Sequence, residues 1–340
     1  MFRVAVILAG GSGERFWPLS TPERPKQLLR LSDPERTLLE VARDRAAPIF
    51  GVEHLYVVTG SRIGPAIEHS GLIPSGQVFI EPAAKNTLGA LCWAVAQLRA
   101  RGYPDETVMA VLTADHAIGD LDVFETTVRS AMELARETQG LVTIGIKPTR
   151  AETGYGYIHR DEPVGAGFRV RRFAEKPPAE TARAYVESGE SFWNSGMFFW
   201  TIGAFLSELR RHVPEASDVV EELAHRPGAF ARLPSIAIDR ALMEHSENVY
   251  VVPGTFSWDD VGSWDSLSRT HPADPRGNIL LGESAEIDCS DCIVVSEEIP
   301  VGVLGVRDLI IVGTPNGVLV CHKSEAQRVR EVLSRFNLPK

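Results

Sequence analysis

Short apolar runs, each closed by glycine or a polar cluster, punctuate the first half of this 340-residue chain. Val4 to Ala9, Leu55 to Thr59, Val78 to Ile80, Val108 to Leu112 and Leu141 to Ile146 read as strands. Their unbroken apolar character marks burial on both faces, as in parallel pairing. Helical stretches lie between them. Thr37-Leu-Leu-Glu40 spells a capping box opening a helix through about Ala47, and a short polar helix follows the second strand. A long apolar helix runs to about Arg101, with Asn86 or Thr87 as its cap, and another spans about Asp122 to Glu137. Such alternation predicts an α/β domain, doubly wound about a mostly parallel, Rossmann-like sheet, with ligands at the carboxyl ends of the strands.

After Ile146 the pattern changes. Gly154-Tyr-Gly-Tyr-Ile158 and Phe168 to Phe173 read as antiparallel strands with turns, and Pro177-Pro178 starts a helix. The aromatic stretch Trp193 to Phe199 reads as core, residues 202–246 as helices broken by proline and glycine, and Val249 to Val252 as a strand. From about Asn278 come short β segments at Ile279–Leu281, Cys292–Val295, Gly302–Leu304, Leu309–Val312 and Val318–Cys321, then an amphipathic helix from Glu325 to Phe336. No strict hexapeptide period runs through them, so the expectation is a small β domain, irregular or β-helix-like. The chain thus divides into a domain over 1–270 and a small β domain with a terminal helix over 271–340. The small domain packs on the larger one or on a partner subunit, an arrangement that allows a homodimer.

The net charge of −10 argues against a broad nucleic-acid-binding face, but not against phosphates held in a local pocket. No apolar run reaches about 18 residues, and the opening residues carry no signal-peptide pattern. The expectation is a cytoplasmic chain with no membrane segment. Cys289-Ser-Asp-Cys292 has metal-ligand spacing without a second pair or a neighbouring histidine, so the four cysteines read as small buried residues. Only six lysines occur, and three of them, Lys26, Lys85 and Lys176, fall inside the motifs below, which hints that compact ammonium charges are wanted there.

The first strand runs into Gly10-Gly11-Ser12-Gly13, followed by Arg15 and Lys26. The glycines allow positive φ and close backbone approach, Ser12 adds a hydroxyl, and two cations complete a phosphate cradle. It is not a dinucleotide fingerprint, because Phe16 stands at the third glycine and Pro18 blocks the expected helix; nor is it a P-loop. A plain connecting turn is the alternative. Glu81-Pro-Ala-Ala-Lys-Asn-Thr87 follows the third strand, where such a sheet places its site, although by itself it also reads as a well-capped helix start. Asp115 ends the fourth strand, where a carboxylate needs a partner such as a hard cation. The lone His116 reads as structural or supporting. Glu175, Lys176 and Asn194 are polar exceptions in apolar surroundings. Asp259-Asp260, beside glycine and two tryptophans, reads either as acidic capping of a helix or as a metal-binding carboxylate.

Taken together, Leu8-Ala-Gly-Gly-x-Gly-x-Arg15 and Arg24-Pro-Lys26 resemble the signature of the sugar-nucleotide pyrophosphorylases, nucleotidyltransferases that join a nucleoside triphosphate to a sugar 1-phosphate. The spelling GGSGERFWPLST…RPKQ, and GVRDLIIVGTPNGVLVCHK near the end, are most similar to the branch using GTP and mannose 1-phosphate. The likeness spans nearly the whole chain. It implies that Leu8, Ala9, Gly10, Gly11, Ser12, Gly13, Glu81, Lys85, Asn86 and Thr87 bind the nucleotide. It further implies that Gly156, Glu175, Lys176 and Asn194 bind the sugar phosphate, that Arg15 and Lys26 are catalytic, and that Asp115 and Asp260 hold Mg²⁺. Many relatives carry arginine at Lys85, and Leu88-Gly89 also departs from the usual spelling. The reaction implied is in-line attack of the sugar phosphate on the α-phosphate, which needs no general base, in keeping with the absence of a Ser/His/Asp or Cys/His arrangement. Two rivals share the scaffold: another pair, such as glucose 1-phosphate with dTTP or UTP, or a silent regulatory relative that binds nucleotide-sugar.

Overall fold

The computed structural model describes residues 2–336, which cluster into two compact units that are not consecutive in sequence. The first comprises residues up to Ala9, Ala42–Thr113 and Ile118–Ser257; the second comprises Gly10–Val41, Ala114–Ala117 and the chain from Trp258 onward. A cut at residue 270 follows the change in sequence pattern. The compact units run differently, because 10–41, 114–117 and 258–270 group with the terminal β strands.

The elements of the first unit appear in the order β1 (Arg3–Leu8), α1 (Leu38–Phe50, which begins in the second unit), β2 (Leu55–Gly60), α2 (Gly64–Ser70), β3 (Val78–Glu81), α3 (Asn86–Ala100) and β4 (Val108–Thr113). After the two-residue β5 (Ala117–Ile118) come α4 (Leu121–Thr138), β6 (Leu141–Ile146), β7 (Tyr157–Val164), β8 (Gly167–Ala174) and α5 (Ala179–Ser188). The unit ends with β9 (Ser191–Thr201), α6 (Ile202–His212), α7 (Pro214–Leu223) and β10 (Val249–Gly254). Nine strands form one sheet in the order β3-β2-β1-β4-β9-β6-β10-β8-β7. β1, β2, β3 and β4 pair in parallel, as their continuous apolar runs require. The aromatic stretch expected as core is itself a strand. β9 lies antiparallel between β4 and β6 and buries Trp193, Phe198, Phe199 and Trp200, which makes the sheet mixed. The hairpin of β7 and β8 adds the antiparallel edge expected from the alternating pattern.

Local chemistry explains several boundaries. The capping box forms as spelled: the Thr37 N–H donates to Glu40 Oε2 at 2.7 Å and the Glu40 N–H to Thr37 Oγ1 at 3.2 Å. The start of α3 differs from expectation. Its cap is Lys85, with no side-chain cap bond, because Asn86 adopts φ 59° and Thr87 Oγ1 instead accepts the Ile238 N–H at 2.8 Å.

In the second unit, β11 (Trp258–Asp259) and α8 (Leu267–Thr270) precede β12 (Ile279–Leu281), β13 (Ser284–Ile287), β14 (Ile293–Ser296), β15 (Val301–Leu304), β16 (Leu309–Thr314) and β17 (Gly317–His322). β12, β14 and β16 stack in parallel, as do β13 and β15, which is the ladder pattern of a short solenoid. Ile279, Ile293 and Ile310 lie in register, 14 and then 17 residues apart, so coils of unequal length hide any hexapeptide period. β17 closes the stack antiparallel to β16. Cys289 and Cys292 are buried free thiols in an apolar cluster with Val294 and Ile311. The terminal helix is shorter than its apolar pattern suggests: a 3₁₀ stretch at Lys323–Arg328 leads into α9 (Val329–Leu333). Phe16, Trp17, Leu29, Trp264, Ile279, Ile293, Ile310 and Val329 share one core. Among the described residues no helix is long and apolar enough to cross a membrane.

Candidate active site

The glycine loop is folded by its own sequence neighbours. The Gln27 side-chain amide donates to the Gly11 carbonyl at 2.9 Å, and Ser20 Oγ donates to the Ser12 carbonyl at 3.2 Å. Gly13 is the position that demands glycine, having φ 67° and a site where a Cβ would lie 2.4 Å from Lys26 Cβ. Gly10 and Gly11 do not adopt positive φ, contrary to expectation; they leave open, exposed backbone beside the loop. The loop thus packs directly against the segment that carries Lys26.

Gly11, Ser12, Gly13, Arg15, Lys26, Asp115 and Asp260 line one cavity of about 360 Å³ in the second unit, so these expected residues come together. Lys26 is only 5% exposed. Its ammonium donates to Asp115 Oδ2 at 2.8 Å and to the Asp260 carbonyl at 3.4 Å, and lies 5.5 Å from the centre of the Phe16 ring. Burial would raise the Asp115 carboxyl, but the Lys26 ammonium, aided by His116, outweighs it and holds the group below the ordinary carboxylate range. Asp115 is therefore an ionised oxygen donor at neutral pH. His116 also lines the cavity, and its Nδ1 accepts the Trp258 indole N–H at 3.1 Å. Arg15 Nη1 donates to the Gly262 carbonyl at 3.4 Å, while its Nε is buried with no hydrogen-bond partner among the described residues.

The paired aspartates divide their work, and the one that lines the cavity is Asp260, as the resemblance implied. Asp259 accepts the Val261 N–H at 2.8 Å on Oδ1 and the Arg269 guanidinium at 2.5 Å on Oδ2. Those bonds hold Val261 at φ 44°, a region that a β-branched residue enters only when its surroundings enforce it. Asp259 thus braces the turn, and Asp260 is the one lining the cavity. No group of three or more His, Cys, Asp or Glu side chains converges for a metal among the described residues. Two carboxylates in a polar cavity still fit Mg²⁺, which takes one or two carboxylates and completes its shell with water and substrate phosphates.

The remaining expected residues lie in the first unit. Leu8 ends β1 and Ala9 follows it, the Ala9 carbonyl accepting from Thr59 Oγ1 at 2.9 Å. Glu81 ends β3; it is 7% exposed, its Oε1 has no hydrogen-bond partner among the described residues, and burial pushes its carboxyl up to about 7. Lys85 donates to the Ala231 carbonyl at 2.7 Å, Asn86 is exposed, and Thr87 holds Ile238.

Gly156, Glu175 and Asn194 converge. A Cβ on Gly156 would lie 2.7 Å from Glu175 Oε2 and 3.4 Å from Asn194 Cβ, so a side chain there would push the Glu175 carboxylate aside. Lys176, at φ 49°, donates to Glu175 Oε1 at 2.6 Å and keeps its ammonium exposed. The Asn194 side-chain amide is oriented by three partners: Oδ1 accepts Thr143 Oγ1 at 3.1 Å and the Gly196 N–H at 3.2 Å, and Nδ2 donates to Asp239 Oδ1 at 2.9 Å; its backbone N–H donates to the Gly156 carbonyl at 2.8 Å. Asp239 is a residue that sequence reasoning missed. Burial, reinforced by the charge of Glu175, raises its carboxyl to about 6. It opens a π-helical turn, Asp239–Met243, a distortion common near functional sites, but no motif in the chain marks it.

Comparison with known proteins gives the family of the chain. The nucleotidyl transferase family profile matches residues 4–276, and a mannose-P isomerase/GMP-like beta-helix domain profile matches residues 282–336. A mannose-1-phosphate guanylyltransferase from Salmonella muenchen is 38% identical over 345 residues, covering 97% of this chain and 72% of that protein. One from Escherichia coli (strain K12) is 36% identical over 358 residues, covering 97% and 73%. A solved structure from Thermus thermophilus, described as a mannose-1-phosphate geranyltransferase, superposes with a TM-score of 0.90 at 35% identity, covering 98% of this chain and 99% of its own. The chain belongs to the nucleotidyl transferase family, within its mannose-1-phosphate guanylyltransferase branch.

Proposed function

We propose that this chain transfers GMP from GTP to mannose 1-phosphate, forming GDP-mannose and releasing pyrophosphate. The observation that carries the reading is the buried Lys26 ammonium, held between Asp115 and Asp260 in a cavity built on a glycine loop. In this reading a phosphate oxygen of mannose 1-phosphate forms a bond to the α-phosphorus of GTP as the bond to the β-phosphate oxygen breaks. The nucleophile is already ionised at neutral pH, so no general base is required. What the protein supplies is orientation and fixed positive charge. Lys26 neutralises the α-phosphate as it becomes five-coordinate, and Arg15 takes charge on the leaving group. Asp115 and Asp260 would hold Mg²⁺, which when bound supplies Lewis-acid neutralisation of phosphate charge.

Glu81 supports guanine as the base. Guanine presents two adjacent donors, its ring N–H and its amino group, and a buried carboxylate is an acceptor with no donor to offer. Adenine offers its amino donor to one carboxylate oxygen but sets its N1 acceptor against the other, a mismatch that disfavours it. Leu8 through Gly13 would carry nucleotide contacts through the backbone, with Lys85, Asn86 and Thr87 shaping the start of α3. On the sugar side, Glu175 and Asn194 would read hydroxyls against the bare backbone of Gly156, and the exposed Lys176 ammonium would meet the sugar phosphate. Charged and highly polar substrates of this kind support a cytoplasmic setting.

The test is GDP-mannose formation from GTP and mannose 1-phosphate with Mg²⁺, comparing the wild type with Lys26→Ala and Asp260→Ala. Both variants should keep the far-UV spectrum of the wild type and lose on the order of 100-fold or more in kcat, as when a preorganised charge is removed from a transition state. Wild-type turnover in either would remove that residue from the mechanism.

A further inference from the structure

The phosphate cavity contains a cation with no role so far. Arg330, on α9, lines it together with Arg15 and Lys26. Its backbone is anchored on several sides. The neighbouring Val329 is 2% exposed in the core that includes Phe16 and Trp264, Gln327 Nε2 donates to Ser263 Oγ at 2.8 Å, and the Phe336 ring centre lies 5.3 Å from that of Trp17. Its sequence neighbour Arg328 is committed to Glu325 at 2.8 Å and Glu331 at 3.0 Å. Arg330 itself makes no ion pair among the described residues and is exposed.

The charge balance of the cavity gives this position a purpose. The lining carboxylates are Glu14, Asp115 and Asp260, against the cations Arg15 and Lys26 when Arg330 is left out. Lys26 is already paired with Asp115. Counting side chains alone, the lining without Arg330 carries one more negative than positive charge, and Arg15 is its only cation not paired with a carboxylate. With it the lining is balanced, and two guanidinium groups remain for phosphate oxygens, the geometry guanidinium suits best.

We propose that Arg330 binds the terminal phosphates of the nucleoside triphosphate, and hence the pyrophosphate that leaves. The terminal β-helix segment would then complete the phosphate site as well as packing against it. This rests on the function proposed above, and it is tested separately from it. Inorganic pyrophosphate is titrated calorimetrically into the full-length wild type, Arg330→Gln and Arg330→Lys, and KM for pyrophosphate and for GDP-mannose is measured in the reverse reaction. The Gln variant should bind pyrophosphate about 10-fold or more weakly and raise its KM for pyrophosphate to match, with KM for GDP-mannose within twofold of wild type. The Lys variant should recover part of the loss, keeping the charge without the fork. Because the side chain is exposed, melting temperatures should agree within about a degree. Equal pyrophosphate affinity in wild type and Arg330→Gln overturns the proposal, and so does a wild type that does not bind pyrophosphate. A wild type that binds pyrophosphate through Arg330 yet makes no GDP-mannose would instead overturn the proposed reaction alone.

Discussion

A buried lysine and a buried glutamate in this chain meet opposite fates. Lys26 has Asp115 at 2.8 Å and is stabilised as an ion pair; Glu81 has one carboxylate oxygen without a partner among the described residues, so burial drives its carboxyl toward the protonated form near pH 7. The sign of the consequence follows. In the unfolded chain this carboxyl titrates near 4.5, so between about 4.5 and 7 the folded protein binds the extra proton, and stability falls as pH rises through that window. Glu81→Gln should therefore stabilise the unliganded protein by roughly 1 to 3 kcal/mol at pH 8 and by little at pH 5. Thermal melts at the two pH values check this. In the wild type, preference for GTP over ATP should grow as pH rises through about 7, when the carboxylate becomes the better acceptor, and Glu81→Gln should lose that dependence. Residues whose importance comes from local backbone or spacing were legible beforehand: Gly13, Arg15, Lys26, Asp115 and Asp260 all meet in one cavity. Asp239 was not, because its significance arises from Asn194 and Glu175, which are distant in sequence. The bracing role of Asp259 was equally hidden, since it depends on Arg269 claiming that carboxylate and leaving its neighbour Asp260 to the cavity.

At the scale of elements, the glycine loop and the Lys26 segment behave as one piece. Gly13→Ala would place a methyl group on Lys26 Cβ while forcing an L-residue to φ 67°. The variant should lose on the order of 1 to 3 kcal/mol of stability, and its turnover should fall with the displacement of Lys26, as read by denaturant melts and steady-state rates. The capping box gives a control that touches no site residue. Thr37→Ala should cost about 1 kcal/mol by removing the acceptor for the Glu40 N–H while leaving kcat unchanged. Parallel strands and their helices were readable because apolar runs and caps are local signals. β9 was not read as a strand, because aromatic crowding alone does not separate a buried strand from other core, and its antiparallel place between β4 and β6 is fixed only by the sheet. The β-helix-like alternative for the terminal strands holds, although unequal coil lengths give it no fixed sequence period and the stack is set by registers instead.

At the scale of the molecule, a change in sequence pattern and a compact unit are different things. The pattern changes near residue 270, yet Phe16, Trp17, Leu29 and Trp264 share their core with Ile279, Ile293 and Ile310. Burying each large side chain contributes about 1.5–3 kcal/mol, so uncovering four of them approaches the whole stability of a domain. A chain ended at Thr270 should therefore fail to fold its glycine loop, giving an inactive, aggregation-prone product whose loop is cleaved under limited proteolysis. One pair of substrates should fit the intact scaffold better than any other. The most direct test is kcat/KM for pyrophosphate release with Mg²⁺ across GTP, ATP, UTP and dTTP, each with mannose 1-phosphate and glucose 1-phosphate. The proposed function predicts the highest value for GTP with mannose 1-phosphate, by at least an order of magnitude. A higher value for any other pair, or no turnover from protein that binds GDP-mannose, would contradict it.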